Sequence, residues 1–494
     1  MSAASAQKFY RPAAWIALAC LVVPMFASYY FDDMFSSISY LFENASLTQL
    51  GWDSAGYGLY ASGYSVLCVF GGLVIGGILL DKWGVRISGS LFVTMMAAGA
   101  GLVLWALLSG GAWSLKVAYV GVMLFGLGSE IAGTAVTRSI AKWFKGGPMA
   151  LAMGLQLAIA RLGTAFALVL SARLVQQVSG HVYTLAETAR PAIVGMGLMA
   201  LGLILWAVFV ALDAKADRPS RSEASDRYAP SDRYAPSELS LPLSDSSPLQ
   251  ASLPEDMSSS GPLPFTKPRA ATPSEASDPE DTDTFRFKDV LGVLGNKNFW
   301  LLGLLCVLFY SSIIAFKKFA GAILIPRFDI PAEAAGWMVS MLPFSTVIFA
   351  PLFGILVDKA GKGTRWMVIG AVLALIAHLL LAFAPQGVPF WGYLAMVFLG
   401  FGYSLVPAAL WPSVPKIVPD KVLGTTFALI YWVQNLGLLS FKWVAGVILG
   451  KEGNGPVSVE LMFVGLCVAA VVVAVMFRRT SARHPELKLD QANR

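Results

Sequence analysis

Charge is scarce in this chain. Only 13% of its 494 residues are Asp, Glu, Lys or Arg, about half the share of a soluble domain, which excludes an ordinary water-soluble fold. The four cysteines, Cys20, Cys68, Cys306 and Cys467, each stand alone inside apolar runs. None forms a pair at metal-ligand spacing, so neither a metal site nor a disulfide framework is expected. No phosphate-cradling G-x-x-x-x-G-K-[ST] loop occurs, which excludes ATP as a P-loop energy source. No nucleophile, base and orienting group fall together, so neither enzymatic chemistry nor a cofactor is expected. The net charge of +6 is scattered over short segments without a basic stripe, and nucleic-acid binding is not expected.

Apolar length is what the chain has in abundance. Twelve runs stand out at roughly 13–41, 54–80, 87–108, 116–142, 148–176, 191–212, 299–323, 334–357, 365–384, 389–415, 422–449 and 457–477. Each can span the roughly 30 Å of bilayer hydrocarbon as a helix. The expected fold is an all-α polytopic membrane protein with the lipid bilayer as solvent. The first run is too long for a signal peptide and is expected to stay as a helix. Loops on one side carry Lys82, Arg86, Lys142, Lys145, Lys359, Lys362, Arg365, Lys416, Lys421, Arg478 and Arg479. The positive-inside bias places that side, with both termini, in the cytoplasm.

Residues 213–298 differ in kind. They are rich in Ser, Pro, Ala and Asp and repeat SDRYAP directly at 225–230 and 231–236. Such a stretch cannot bury enough apolar surface to fold alone and reads as a disordered cytoplasmic linker. The expected division is a six-helix bundle at 13–212, the linker at 213–298, a second six-helix bundle at 299–477 and a cytoplasmic tail at 478–494.

The two halves repeat. GGILLDKWGVR (76–86) mirrors FGILVDKAGKGTR (353–365). Without a gap, FGLGSEIAG from Phe125 aligns with LGFGYSLVP from Leu399, and the same offset sets Arg161-Leu162-Gly163 on Asn435-Leu436-Gly437. Two pseudo-symmetric six-helix bundles are the arrangement of major facilitator transporters. The repeated G-x-x-x-D-K-x-G pattern with a following Arg also resembles the signature loop of that superfamily. Asp81, Lys82, Gly84 and Arg86, and their counterparts Asp358, Lys359, Gly361 and Arg365, are the candidate gating residues: an Asp at the cytoplasmic mouth can pair with a basic residue or a helix amino end on the other half.

Glu130 and Arg161 sit near the middle of consecutive runs, each about 20 Å into its helix at 1.5 Å per residue. A charge at mid-depth costs about 3 kcal/mol or more unless paired or facing water. An acid and a base at matching depth suit a zwitterion. If the helices hold them apart, a free amino acid is too short, its ends being only about 3 Å apart, whereas an extended dipeptide separates its charges by roughly 6 Å. The repeat puts the neutral Ser404 and Asn435 at the equivalent places. Gln434 and Asn435, able to donate and accept, are candidates for the peptide bond. Tyr30, Asp32, Gln156 and Trp411 complete the candidate substrate site. Asp32 and Asp33 read as lying two-thirds along the first helix, one of them able to answer Lys442 of the eleventh run. Lys317 and Lys318 read as snorkelling, and His378 as a satisfied buried histidine. Trp411-Pro412 and Pro415 break the tenth run, and Pro343 and Pro351 bear on the eighth.

A narrower resemblance covers most of both halves. ASYYFDD (27–33), SLTQLG (46–51), WFKG (143–146), GLQLAIARLG (154–163), AALWPSVPKIVP (408–419) and QNLGL (434–438) are similar to segments of the family of major facilitator superfamily domain-containing protein one. The resemblance implies export of dipeptides by facilitated diffusion, with Glu130 and Arg161 as the matching acid and base. In mammals it also implies an accessory membrane glycoprotein, for which nothing in this sequence identifies a docking surface. An E-x-x-E-R cluster, which resembles the proton site of proton-coupled peptide carriers, is missing from the first run, so uniport is expected. The N-terminal MSAASAQKFYRPAAW has no acidic dileucine signal, so a cytoplasmic membrane is expected rather than a lysosomal one. An organic-anion or monocarboxylate carrier, and a non-transporting membrane sensor of the same fold, are the competing readings.

Overall fold

The computed structural model describes residues 3–145, 148–176, 178, 181–217, 292–418, 422–451, 455–487 and 489–491. Most of the linker expected at 213–298, and the end of the tail, lie outside the described residues. Among the described residues every regular element is helical: α1 (Ala3–Asp33), α2 (Ser54–Leu67), α3 (Leu73–Gly84), α4 (Ser90–Ser109), α5 (Ser114–Trp143), α6 (Met149–Leu174), α7 (Arg190–Ala216), α8 (Lys297–Lys318), α9 (Ala320–Phe328), α10 (Ala332–Ala360), α11 (Gly363–Phe383), α12 (Pro389–Leu410), α13 (Leu423–Leu449) and α14 (Pro456–Arg483). In hydrocarbon every backbone group must find its partner within the chain, and a helix does this for a single apolar run.

Eleven described stretches are long and apolar enough to cross a membrane, and one of them, Ser54–Ser109, has 56 residues. As a straight helix it would reach about 84 Å, far beyond one bilayer. It reverses at Gly84, whose φ of +73° lies where glycine is favoured. The Ser88 hydroxyl then donates to the Leu79 carbonyl at 2.7 Å, a contact that nine residues of straight helix would hold about 13 Å apart. The stretch is therefore two crossings, which makes twelve among the described residues. Its first crossing bends where α2 meets α3: Phe70 and Gly71 leave helical geometry, Gly71 with φ +93°. The Trp432 indole of α13 caps the Val69 carbonyl there at 2.7 Å.

The first apolar run is not one helix to residue 41. α1 stops at Asp33, and Ser39–Glu43 form a separate 3-10 turn. The seventh run is likewise interrupted after Lys318. Asp32, Asp33, Lys317 and Lys318 thus occupy last turns. The twelfth element, α12, gives way to a 3-10 segment at Trp411–Lys416 carrying Pro412 and Pro415, as the prolines require. α7 runs to Ala216, past the expected start of the linker.

The internal repeat shows in the packing. Gly128 lets α5 sit on the backbone of Met96 in α4, and Gly402 lets α12 sit on Gly370 in α11. Gly163 lets α6 close on Phe26 in α1, and Gly437 lets α13 close on Val307 in α8. In each pair a side chain at the glycine would meet its neighbour too closely, which forces small residues where helices cross.

Contacts between the bundles gather toward the face opposite the termini. α2 meets α13 there: a β-carbon at Gly446 would lie 2.5 Å from the Ser54 carbonyl oxygen and 2.7 Å from the Gly58 Cα. On the same face Arg173 pairs with Glu333 at 2.7 Å, and the Gly321 amide donates to the Ser36 carbonyl at 3.0 Å. On the terminal face, the chain's last described stretch returns to α11. Asp490 accepts from the Thr364 amide and hydroxyl, each at 2.9 Å, and from the Ser481 hydroxyl at 2.9 Å, capping α11 from outside its own sequence neighbourhood.

The α2–α13 crossing gives a direct test. A β-carbon at Gly450 would stand 3.4 Å from that of Ala55, close to the roughly 3.8 Å of a disulfide. Cysteines at both places are expected to cross-link under mild oxidation. Adding Gly446→Val is expected to cut the yield severalfold, because the clash is with backbone; an unchanged yield would mean that the crossing is looser than described.

Candidate functional site

The site is built from one residue of each of several crossings. Glu130 on α5 and Arg161 on α6 are both half-buried. They form no ion pair with each other, which removes a permanent structural salt bridge as their role. Glu130 Oε1 accepts from the Tyr64 hydroxyl of α2 at 3.1 Å. Tyr64 also reaches Ser129 at 3.2 Å, and Ser129 meets Ser28 of α1 at 2.5 Å. The Arg161 guanidinium crosses to the other bundle, where Nη1 donates to the Tyr403 hydroxyl of α12 at 2.8 Å. It lies 5.3 Å from the centre of the Tyr403 ring and 5.5 Å from that of Tyr29, within cation–π range of both. An aromatic wall continues beyond Tyr403. The Trp411 indole donates to the Tyr310 hydroxyl at 3.1 Å, and Trp411 stacks on Tyr431 with centroids 5.0 Å apart. A small cavity is lined by Arg161, Thr164, Ile313, Leu342, Pro343 and Tyr403, among others.

Other candidates fall elsewhere. Tyr30 is fully buried and its hydroxyl donates to the Pro191 carbonyl at 3.3 Å, so it faces α7. Its neighbour Tyr29 takes the place beside Arg161, since successive helical residues point about 100° apart. Gln156 lies half-buried on α6. Gln434 accepts from the Cys306 thiol at 3.5 Å. Asn435 is 3% exposed and donates to the Tyr431 carbonyl at 3.1 Å, while its Oδ1 has no partner. Ser404 bonds back to the Gly400 carbonyl of its own helix. From the repeat alignment, Tyr403 rather than Ser404 reaches the partner bundle. His378 is not alone either: its Nδ1 lies 2.8 Å from Glu460 in a fully buried pair.

The opposite face carries a second charged group that the sequence does not announce. Lys317 Nζ meets Asp33 Oδ2 at 2.6 Å, and Lys318 Nζ meets Asp32 at 2.8 Å and Asp33 Oδ1 at 3.0 Å. Lys318 also donates to the Asp32 carbonyl. Thr164 donates to Asp33 at 2.8 Å, and the Tyr57 hydroxyl to the Lys318 carbonyl at 3.0 Å. The lysines do not snorkel; Lys317 is 7% and Lys318 2% exposed. They fasten the C-terminal ends of α1 and α8 to each other, where two negative helix poles would otherwise meet. Asp32 and Asp33 are answered by these lysines, not by Lys442.

Two of the gating candidates, Asp81 and Arg86, are paired within their own bundle. Asp81 binds Arg138 at 2.6 Å and Arg86 binds Asp213 at 2.7 Å. Asp213 also takes Lys142 at 2.9 Å and the Trp143 indole at 2.8 Å. The cross-half partner expected for Asp81 is replaced by Arg138, which stands on the neighbouring helix. Lys82, Asp358, Lys359 and Arg365 are exposed, and Gly361 has a φ of +60°.

Twelve crossings among the described residues form two bundles, with Glu130 and Arg161 near the middle of their helices and an ionic group joining the bundles on one face; this is the architecture of a membrane transporter. Residues 18–437 and 317–493 match the family model of the Major Facilitator Superfamily, and the chain belongs to that family. It is 26% identical over 447 residues to the lysosomal dipeptide transporter MFSD1 of Danio rerio, covering 89% of this chain and 81% of that one. It is 26% identical over 433 residues to the protein of the same name from Homo sapiens, covering 85% and 76%. Among solved structures it resembles the inward open conformation of the xylose transporter XylE from E. coli, with TM-score 0.63, 13% identity and coverage of 93% and 95%. It also resembles the nucleoside transporter NupG, with TM-score 0.61, 13% identity and coverage of 93% and 98%.

The ionic closure is testable by removing one charge. Asp33→Asn leaves Lys317 buried against a neutral amide, a change that costs about 3–5 kcal/mol. The detergent-solubilised variant is expected to melt several degrees below the parent, and Asp33→Asn with Lys317→Met is expected to recover part of the loss. Equal melting of parent and Asp33→Asn would rule out a stabilising role.

Proposed function

We propose that this transporter carries dipeptides, with Arg161 holding the substrate carboxylate and Glu130 its ammonium. The observation that carries the reading is that this acid and base stand near the middle of consecutive helices without pairing. Each is held by tyrosine hydroxyls that a stronger, charged ligand can displace. Carboxylate binding by a guanidinium is bidentate and strong, and Tyr29 and Tyr403 flank it with ring faces. A monocarboxylate would satisfy Arg161 alone; Glu130 is what requires a cation at the other end. The MFSD1 relatives support the same substrate class by name.

The reading continues to mechanism. Both termini are cytoplasmic, with Lys82, Arg86, Lys142 and Arg365 on that face. The fastened face is then the external one. Transport runs as uniport by rocking of the bundles about the site, the Asp33 cluster parting when the external face opens and the two D-K-x-G loops closing the cytoplasmic mouth.

Dipeptide counterflow in proteoliposomes tests it. The parent is expected to exchange dipeptides without a proton gradient. Arg161→Ala and Glu130→Gln are each expected to reduce exchange by about 100-fold, in line with the roughly 2–5 kcal/mol lost when one partner of a buried charge pair is truncated. Asn435→Ala, already turned to its own bundle, is expected to cost less than about tenfold, the scale of a neutral hydrogen bond. Blocking the free amine of the substrate is expected to abolish exchange; full exchange of N-acylated dipeptides would favour the organic-anion reading.

A further inference from the structure

Lys442 is a buried charge that the transport reading leaves without work. It lies on α13, is 2% exposed, and forms no ion pair among the described residues. Its ammonium donates to the Ala61 carbonyl of α2 at 3.2 Å and stands 5.2 Å from the centre of the Tyr64 ring. The neighbouring carboxylates, Asp32 and Asp33, are engaged by Lys317 and Lys318. One carbonyl and one ring are poor compensation for an ammonium taken out of water. Tyr64 is the link: the ring under Lys442 is the one whose hydroxyl donates to Glu130. Lys442 belongs to the second bundle, and Ala61, Tyr64 and Glu130 to the first. The contact also sits one helical turn from the Gly446 crossing, where α2 and α13 touch backbone to backbone.

We propose that Lys442 is a positioning residue that reports the charge on Glu130 to the closed face. In the empty carrier the Glu130 carboxylate is the negative charge that holds Lys442 on Tyr64, and so holds α13 against α2. A cation arriving at Glu130 cancels that charge. Lys442 then loses its counter-charge, and the face opposite the termini opens more easily. Loading and opening are coupled through a single tyrosine. The coupling rests on Glu130 being the acid anchor of the site, but not on which molecule brings the cation.

The test therefore uses the empty carrier. Ser54, 3% exposed at the α2–α13 crossing, is replaced by cysteine, and its labelling by a bulky polar maleimide is timed in detergent. The four native cysteines, all buried, give the background. Lys442→Met is expected to speed labelling roughly fivefold or more, the lower end of ordinary coupling between sites. Tyr64→Phe, which keeps the ring but removes the hydroxyl, and Glu130→Gln are expected to act in the same direction. Lys442→Arg is expected to stay near the parent. The double variant Lys442→Met with Glu130→Gln is expected to label no faster than Lys442→Met alone, because both changes remove one interaction. Slower or unchanged labelling of Lys442→Met would show a merely tolerated charge and overturn the proposal. Multiplying effects in the double variant would overturn the link to Glu130. Failure of dipeptide exchange would touch neither outcome, since no substrate is present.

Discussion

The two bundles are joined on one face by four charges gathered at one point, three of them buried and Asp32 a quarter exposed. Asp32, Asp33, Lys317 and Lys318 lie at the ends of two helices from different bundles, and neither pair could be buried alone at tolerable cost. Together they satisfy one another, with Thr164 completing Asp33. An arrangement of this kind is all or nothing. Under the proposed alternating access, a half-parted cluster would leave ammonium groups in a medium that solvates them poorly, so an intermediate would be costly. That is the property alternating access needs: a face that is shut or open and spends little time between.

The fold was legible because hydropathy reports directly on where a chain can lie in a bilayer. The twelve crossings and their duplication could be read from run lengths and two motifs. What hydropathy does not see is a turn made of apolar residues. The first and seventh runs were therefore drawn past their true ends at Asp33 and Lys318. That error mattered, because it set Asp32 and Asp33 inside a helix and Lys317 and Lys318 at a lipid headgroup, when the four are one group. Their closest partners are separated by 284 residues, and no local signal joins them. Glu130 and Arg161 were visible because a charge inside an apolar run is costly unless it is paired or faces water. Tyr64, Tyr29 and Tyr403 were not, since aromatic residues are ordinary in membrane helices and a shift of one position, as between Tyr29 and Tyr30, turns the side chain to another neighbour.

The two halves share a skeleton and divide the chemistry. The glycines at 128 and 402, or 163 and 437, do the same work in each bundle because helix crossings are a matter of volume. The polar positions have diverged. Where the first bundle has Glu130 and Arg161, the second has a serine bonded to its own helix and a buried asparagine. Its contribution to the site is aromatic: Tyr310, Tyr403, Trp411 and Tyr431. Charge on one side and ring faces on the other allow the bundles to meet across a ligand without meeting charge to charge.

The cap on α11 has a consequence for how the protein is made. Thr364 and Asp490 are 126 residues apart, with three further crossings between them. During synthesis the Thr364 amide of α11 lacks this cap until α14 is made and the chain has doubled back, whereas the Arg365 and Trp366 amides find the Lys362 carbonyl locally. The terminal-face loop that bears the second D-K-x-G motif is thus the last part of the second bundle to be set. The cap at the start of α11 is completed only after the helices that follow it in the chain have been made.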